Sequence, residues 1–323
     1  MLERIMVALD GSRLAEQTLS FASTLARAFN AEIVLLRVVE TPSGTPGRAL
    51  DSFDWRMERT ESIAYLEGIK RRLNEQGVSV DLDVTAGRAC EEILEMARAR
   101  EVDLLVLASH GVGGRSEFRM ASTAQKVVFA AETSVLIVPA RESLAEEAPF
   151  ETVLVPVDCT PHSDWAVTIA ARLARSQGAE LLVLHVVREP NLLEPHGTAR
   201  ERQIVDEIVT LNRGAASRYM EALTRRLESP DLKIRTIVDV AVEVAPVLER
   251  HATAETSPLL VLSARGSSRF DDGPYGGLVA VMLANTGYPV LVLREPSRRR
   301  PSLRRWSSSG ASTNPRRAPL TAE

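Results

Sequence analysis

Residues 4–10 read RIMVALD, and residues 152–158 read TVLVPVD. Each is a short, unbroken apolar run that ends on an aspartate. Runs of this kind mark β-strands buried on both faces, as in parallel sheets covered by helices. The two runs lie 148 residues apart, and at the same offset AEIVLLRVV (31–39) falls on AELLVLHVV (179–187). Further along, LLVLASHG (104–111) falls on LLVLSARG (259–266), and SVLIVP (134–139) falls on PVLVLR (289–294), at an offset of 155. The chain therefore carries one domain twice, with an insertion of seven residues expected around the 190s of the second copy.

Within the first copy, strand and helix signals alternate. RIMVAL is a strand, and Ser12 is a candidate N-cap for a helix over 12–29 with apolar residues at near-helical spacing. EIVLLRVV is the second strand, and 41–47 is a loop rich in Pro and Gly. A helix follows over 56–76, stopped by Gly77, and VSVDLDV (78–84) alternates like a half-exposed strand. A helix over 88–100, the strand DLLVLAS, a helix over 119–131 and the strand SVLIV complete the unit. Strand–helix alternation with short loops specifies an α/β fold, a doubly wound parallel sheet with right-handed crossovers, made twice in tandem. Ligands of such sheets sit beyond the carboxyl ends of the strands, where strand order reverses. The positions after strands one, two and four thus matter most.

Composition agrees. Of 323 residues, 45% are apolar and 25% charged, which excludes a mostly disordered chain, a collagen-like fibre and a disulfide scaffold. Only 4% are aromatic, so the core must be built of Ala, Val, Leu and Ile. Cys90 and Cys159 stand far apart, in no metal or redox spacing, which suits a reducing compartment. The first ten residues make no signal peptide, and no apolar run approaches the roughly 18–20 residues of a membrane span. A soluble, cytoplasmic chain without a membrane partner is expected. The domain boundaries read as 1–140 and 151–295, with an acidic linker at 141–150 and a Ser/Pro/Arg-rich tail at 296–323 that has almost nothing to bury. Net charge is −4, yet 297–323 hold seven Arg (298, 299, 300, 304, 305, 316 and 317) against one acid, Glu323. An acidic body argues against nucleic acid as a partner except through that tail, whose arginines and Trp306 suit an anionic polymer or surface. Ser302 and Ser307, downstream of paired Arg, fit basophilic kinase sites equally well; a solvated tail is the simpler reading.

Strand one ends on Asp10-Gly11-Ser12 in one copy and Asp158-Cys159-Thr160 in the other. An acid there accepts hydrogen bonds from a base or sugar, or else simply makes the turn and caps the helix. After strand four, Ala108-Ser109-His110-Gly111-Val112-Gly113-Gly114 leads to Ala121-Ser122-Thr123 at a helix start. Glycines permit close backbone approach, and a helix N-terminus attracts phosphate; an ordinary Gly-rich loop is the alternative. Several signatures are missing. There is no GxxxxGK[ST], and no GxGxxG after strand one, which argues against a P-loop NTPase and a dinucleotide enzyme. CxxC, HExxH and GxSxG are also lacking, and none of the five histidines (110, 162, 185, 196 and 251) has a metal-ligand spacing, so no metal is expected.

Two copies of a strand ending in Asp, a Gly-rich loop after strand four and a VLIVP-like closing strand together resemble a tandem universal stress protein. The resemblance covers about residues 1–295. It implies strand order 3-2-1-4-5 in each copy and an adenine nucleotide alpha hydrolase-like fold. It also implies ATP, with or without Mg, bound through a G-x2-G-x9-G-[S/T] pattern. The spacing survives here and the letters change: Ala108-x2-Gly111-x9-Ala121-Ser122, and Ser263-x2-Gly266-x9-Gly276-Gly277. The resemblance implies that Asp10 with Val38, and Asp158 with Val186, meet adenine. It gives ribose and phosphates to the glycine loop, including Gly114, and to Ser122 and Thr123.

Ala121 puts a methyl where backbone approaches phosphate. The second copy lacks a hydroxyl at Gly277 and carries Asp271 and Asp272, which repel a triphosphate unless a divalent cation intervenes. The first copy therefore ranks as the ATP site of a stress-response regulator acting through an unidentified protein partner, and the second as degenerate. The alternative is a scaffold without nucleotide that works through dimer or partner contacts. In the resembled family the closing strands, here SVLIV and PVLVL, make the pairing surface, within one chain or between two. No general base or catalytic lysine is positioned for hydrolysis, so enzymatic function is not expected.

Overall fold

The structure, a computed structural model, describes residues 2–40, 52–111, 120–139, 150–190, 198–264, 276–285 and 287–295. The Pro/Gly loop, Gly114, Gly266, Asp271, Asp272, most of the linker and the tail lie outside them.

The first half runs β1 (Arg4–Ala8), α1 (Arg13–Glu16), α2 (Thr18–Phe29), β2 (Glu32–Glu40), α3 (Ser52–Glu75), β3 (Val80–Gly87), α4 (Ala89–Ala99), β4 (Leu104–Ala108), α5 (Ser122–Ala130) and β5 (Ser134–Val138). The second runs β6 (Thr152–Pro156), α6 (Pro161–Gln177), β7 (Glu180–Arg188), α7 (Ala199–Leu227), β8 (Lys233–Ala241), α8 (Val244–Ala254), β9 (Pro258–Ser263), α9 (Gly277–Asn285) and β10 (Val290–Leu293). Each half has the expected order, β3-β2-β1-β4-β5 and its counterpart β8-β7-β6-β9-β10. The two five-stranded sheets continue into one another. β5 and β10 pair antiparallel, with Leu136 opposite Leu291, giving a ten-stranded sheet that is parallel everywhere else.

Apolar layers cover both faces, and the larger one is continuous across the join, from Leu136 and Val138 to Leu291 and Leu293. Phe150, read as linker, is fully buried in that layer. On the same side α6 reaches across to α2: Arg172 Nε donates to the Ala28 carbonyl at 2.7 Å, and its guanidinium stacks 4.8 Å above the Phe29 ring.

Local chemistry explains the element ends. Ser12 caps α1 by accepting from the Ala15 amide at 3.1 Å. The single helix expected over 12–29 is split at Gln17, where the Thr18 hydroxyl takes the Ala15 carbonyl at 2.6 Å, a local bond that competes with the helical ladder. α2 and α6 close on equivalent left-handed residues, Asn30 (φ +55°) and Gly178 (φ +65°). β3, a sheet edge, is half-exposed as its alternation suggested, though it starts later and runs on to Gly87. Registers locate the insertion. Ile33 lies opposite Val80 and Leu181 opposite Ile234, so six of the seven extra residues precede β8. The seventh lies between Ala241 and Val244, a step that Arg88 alone bridges in the first half. Among the described residues no helix is long and apolar enough to cross a membrane.

Candidate functional site

The candidate site lies where β1 and β4 end side by side, the point at which strand order reverses. Leaving β1, the Leu9 amide donates to the Leu36 carbonyl of β2 at 2.8 Å, and the chain then turns sharply. Asp10 makes the turn: Oδ1 accepts from the Ser12 amide at 2.9 Å, while Gly11 takes φ +85°. From β4, Gly111 comes so close that a Cβ on it would lie 2.1 Å from Asp10 Oδ2. Gly111 is thus required here for close approach, and two residues far apart in sequence become one structural feature.

The loop after β4 is pinned at its root. Ser109 is buried; its amide donates to the Val138 carbonyl at 2.8 Å and its Oγ lies 2.9 Å from His110 Nδ1. Its carbonyl accepts from the Ala121 amide at 2.7 Å. Ala108, the last residue of β4, is thereby held near Ala121, which occupies the N-cap position of α5. Alanine has no cap to offer, so the N-cap residue makes no side-chain bond to the first turn, which begins with Ser122 and Thr123. That arrangement suits an anion. Val38 lies inside β2, opposite Thr85 and two residues past Leu36, on the sheet face packed by α4.

A second layer of residues, missed in the sequence, backs this turn. Arg37 of β2 lies across Gly11, with Nη1 2.5 Å from the place a Cβ would take, and stacks 5.3 Å from the Tyr65 ring of α3. The Tyr65 hydroxyl donates to Glu16 of α1 at 3.0 Å, and Arg72 pairs with Glu16 at 3.7 Å. Burial, then Glu16, holds the Tyr65 hydroxyl far above its usual acidity range.

The second half repeats the frame with different chemistry. Asp158 Oδ1 accepts from the Thr160 amide at 3.1 Å and from its hydroxyl at 2.5 Å, so that hydroxyl does not cap α6. Cys159 occupies the position of Gly11, also left-handed at φ +60°. Its Sγ lies 3.7 Å from Nδ1 of His185, the counterpart of Arg37, and that nitrogen is 2.7 Å from the Val157 carbonyl. Burial, then Asp158 and Asp164, pushes the Cys159 thiol up, so it is no activated nucleophile. Val186 pairs in register with Asp239, where the first half has Thr85. Asp239 meets Arg250 at 2.5 Å and His251 at 3.1 Å, and the His251 hydrogen bond first of all holds its carboxyl below the usual range. Ser263 ends β9, and the Gly276 amide reaches the Ala264 carbonyl at 3.4 Å before α9 opens on Gly277.

Tyr219, Asp164 and Arg226 match Tyr65, Glu16 and Arg72. The Tyr219 hydroxyl donates to Asp164, and Arg226 reaches it at 2.9 Å. Burial opposes ionisation of Asp164, but these two partners outweigh it and its carboxyl lies below the usual range. Tyr-x6-Arg at 65–72 and again at 219–226 was the sequence signal for these triads. Among the described residues, no group of three or more His, Cys, Asp or Glu is arranged to hold a metal.

A model described as the universal stress protein family matches residues 1–139 and 149–294. A universal stress protein of Mycobacterium tuberculosis is 26% identical over 317 residues, covering 90% of this chain and 95% of its own length. The universal stress protein YxiE of Bacillus subtilis is 31% identical over 148 residues, covering 43% of this chain and 99% of its own. Among solved structures, a putative universal stress protein from Pseudomonas aeruginosa matches with a TM-score of 0.63 at 15% identity, covering 91% of this chain and 93% of its own. Another from Archaeoglobus fulgidus matches with a TM-score of 0.60 at 16% identity, covering 91% and 99%. The structural likeness shows that the chain has the tandem α/β fold of these solved universal stress proteins.

Proposed function

The chain belongs to the universal stress protein family, and from that premise we propose that it is an adenine-nucleotide-responsive regulator whose first half binds ATP, with Mg, at the β1–β4 switch point. Asp10 accepts from the base, Val38 lines it, and the root of the Gly111 loop with the start of α5 receives ribose and phosphates. The observation that carries this reading is the contact of Asp10 with Gly111, a carboxylate held at the carboxyl end of the sheet against backbone that has no Cβ in the way. The output is a change in contact with a protein partner, and no catalytic step is assigned.

The second half is the weaker candidate. Asp158 takes two bonds from Thr160, and Cys159 and His185 fill the space beside it. A scaffold that binds no nucleotide is the second reading, favoured by the alanines at 108 and 121.

A thermal melt with millimolar ATP and Mg, against GTP and buffer, tests the proposal. A ligand at a hundred times its Kd stabilises by about 2.7 kcal/mol, a shift of several degrees. ATP should give that shift, GTP should not, and Asp10→Ala should abolish it while Asp158→Ala leaves it. No shift with any nucleotide would favour the scaffold.

A further inference from the structure

The two halves offer an internal comparison at one point. Gly11 and Arg37 in the first half stand where Cys159 and His185 stand in the second. Both turns are left-handed, a conformation that glycine adopts freely and that strains a residue with a Cβ, and only in the first is the side chain missing. The longer Arg37 occupies the volume that a side chain at 11 would fill. In the second half Cys159 supplies that volume and the shorter His185 stands beside it. The exchange conserves bulk and changes chemistry: a permanent cation against a thiol and an imidazole.

Arg37 is also held on its far side. It stacks on Tyr65, which hydrogen-bonds Glu16 on the short helix that follows the turn. Arg37 and Asp10 pull the acidity of the Tyr65 hydroxyl in opposite directions, which puts all three in one electrostatic cluster. The turn is therefore held twice: by the Asp10 bond to the Ser12 amide, and by a guanidinium that lies against both the Tyr65 ring and the Gly11 backbone.

We propose that Arg37 is a positioning residue for ligand capture at Asp10, and that the Gly11/Arg37 pair, replaced by Cys159/His185, is what makes the two strand-one turns unequal as binding elements. The inference rests on the reading of the first half as the nucleotide site. Arg37 acts through the turn, by holding Asp10 at Gly111, so its loss loosens the turn as well as the binding.

The full-length chain is compared with Arg37→Met, which keeps length and apolar bulk, and with the double exchange Gly11→Cys, Arg37→His, which installs the second half's pair in the first. ATP affinity is measured by calorimetry, and amide exchange is followed for residues 9–20 and, as an internal control, 157–168. Expected are affinity weaker by about tenfold or more in both variants and faster exchange at 9–20 with 157–168 unchanged. ATP binding and exchange both unaltered by Arg37→Met would overturn the inference while leaving the nucleotide reading intact. If the parent chain binds no ATP yet Arg37→Met speeds exchange only at 9–20, the nucleotide reading fails and the brace stands. If neither occurs, both fail. Faster exchange in both segments would also overturn it, since Arg37 would then support the whole fold and not this turn.

Discussion

Asp10 and Gly111 meet across the gap between β1 and β4, so closely that a methyl group on Gly111 would overlap Asp10 Oδ2. Gly111→Ala must therefore push the carboxylate or the loop aside. We expect a loss of about 1–3 kcal/mol in urea denaturation, the usual range for forced overpacking, together with loss of any ATP-induced stabilisation. Unchanged stability would mean that the loop yields freely and that the contact does not define the site.

Leu291 and Leu136 are fully buried opposite each other where the two halves join. Leu291→Ala should cost about 2–5 kcal/mol. Because one apolar layer spans the join, amides of β4 in the first half should lose exchange protection along with those of β9. Loss confined to the second half would show that the halves unfold independently.

Asp164, held by Arg226 and Tyr219, has its carboxyl below the usual range. The pair therefore contributes stability above the ordinary aspartate value of about 3.9, and that contribution disappears as pH falls from there through the lowered folded value. Asp164→Asn should flatten the acid limb of the stability curve below about pH 4 and leave its shape near neutrality alone. An unaltered acid limb would assign the acid sensitivity to other carboxylates.

Cys159 is exposed and left-handed, yet burial of its thiol and the neighbouring acids push that thiol up. Alkylation by iodoacetamide should be slow at pH 7 and accelerate past the ordinary thiol range. Fast labelling at neutral pH would identify an activated thiolate and contradict the arrangement in which His185 Nδ1 is engaged by the Val157 carbonyl.

Much of this molecule is legible in its sequence, for a definable reason. Strands such as RIMVAL and DLLVLAS are buried on both faces and so unbroken in hydrophobicity. Turns such as Asp10-Gly11-Ser12 are closed by neighbours two or three residues away. The repeat itself supplied the copy number, the strand order followed from the resemblance it carried, and the acid after strand one stood out because the same acid recurs at Asp158. All of these depend on short-range chemistry or on periodicity, which a linear string records.

The remainder depended on register and packing. That the closing strands join two sheets into one, that Gly111 admits Asp10, and that Arg37 spans Gly11 to reach Tyr65 are relations between residues far apart in the chain. The same holds for the hydroxyl of Tyr65 and Glu16, which are 49 positions apart, and for Tyr219 and Asp164, which are 55 apart. Residue types alone say that such groups are polar or small. Only the parallel register of β1 against β2 and β4, and the helices laid over it, bring particular pairs within hydrogen-bonding or van der Waals reach, because those forces fade within a few ångströms and ignore distance along the chain.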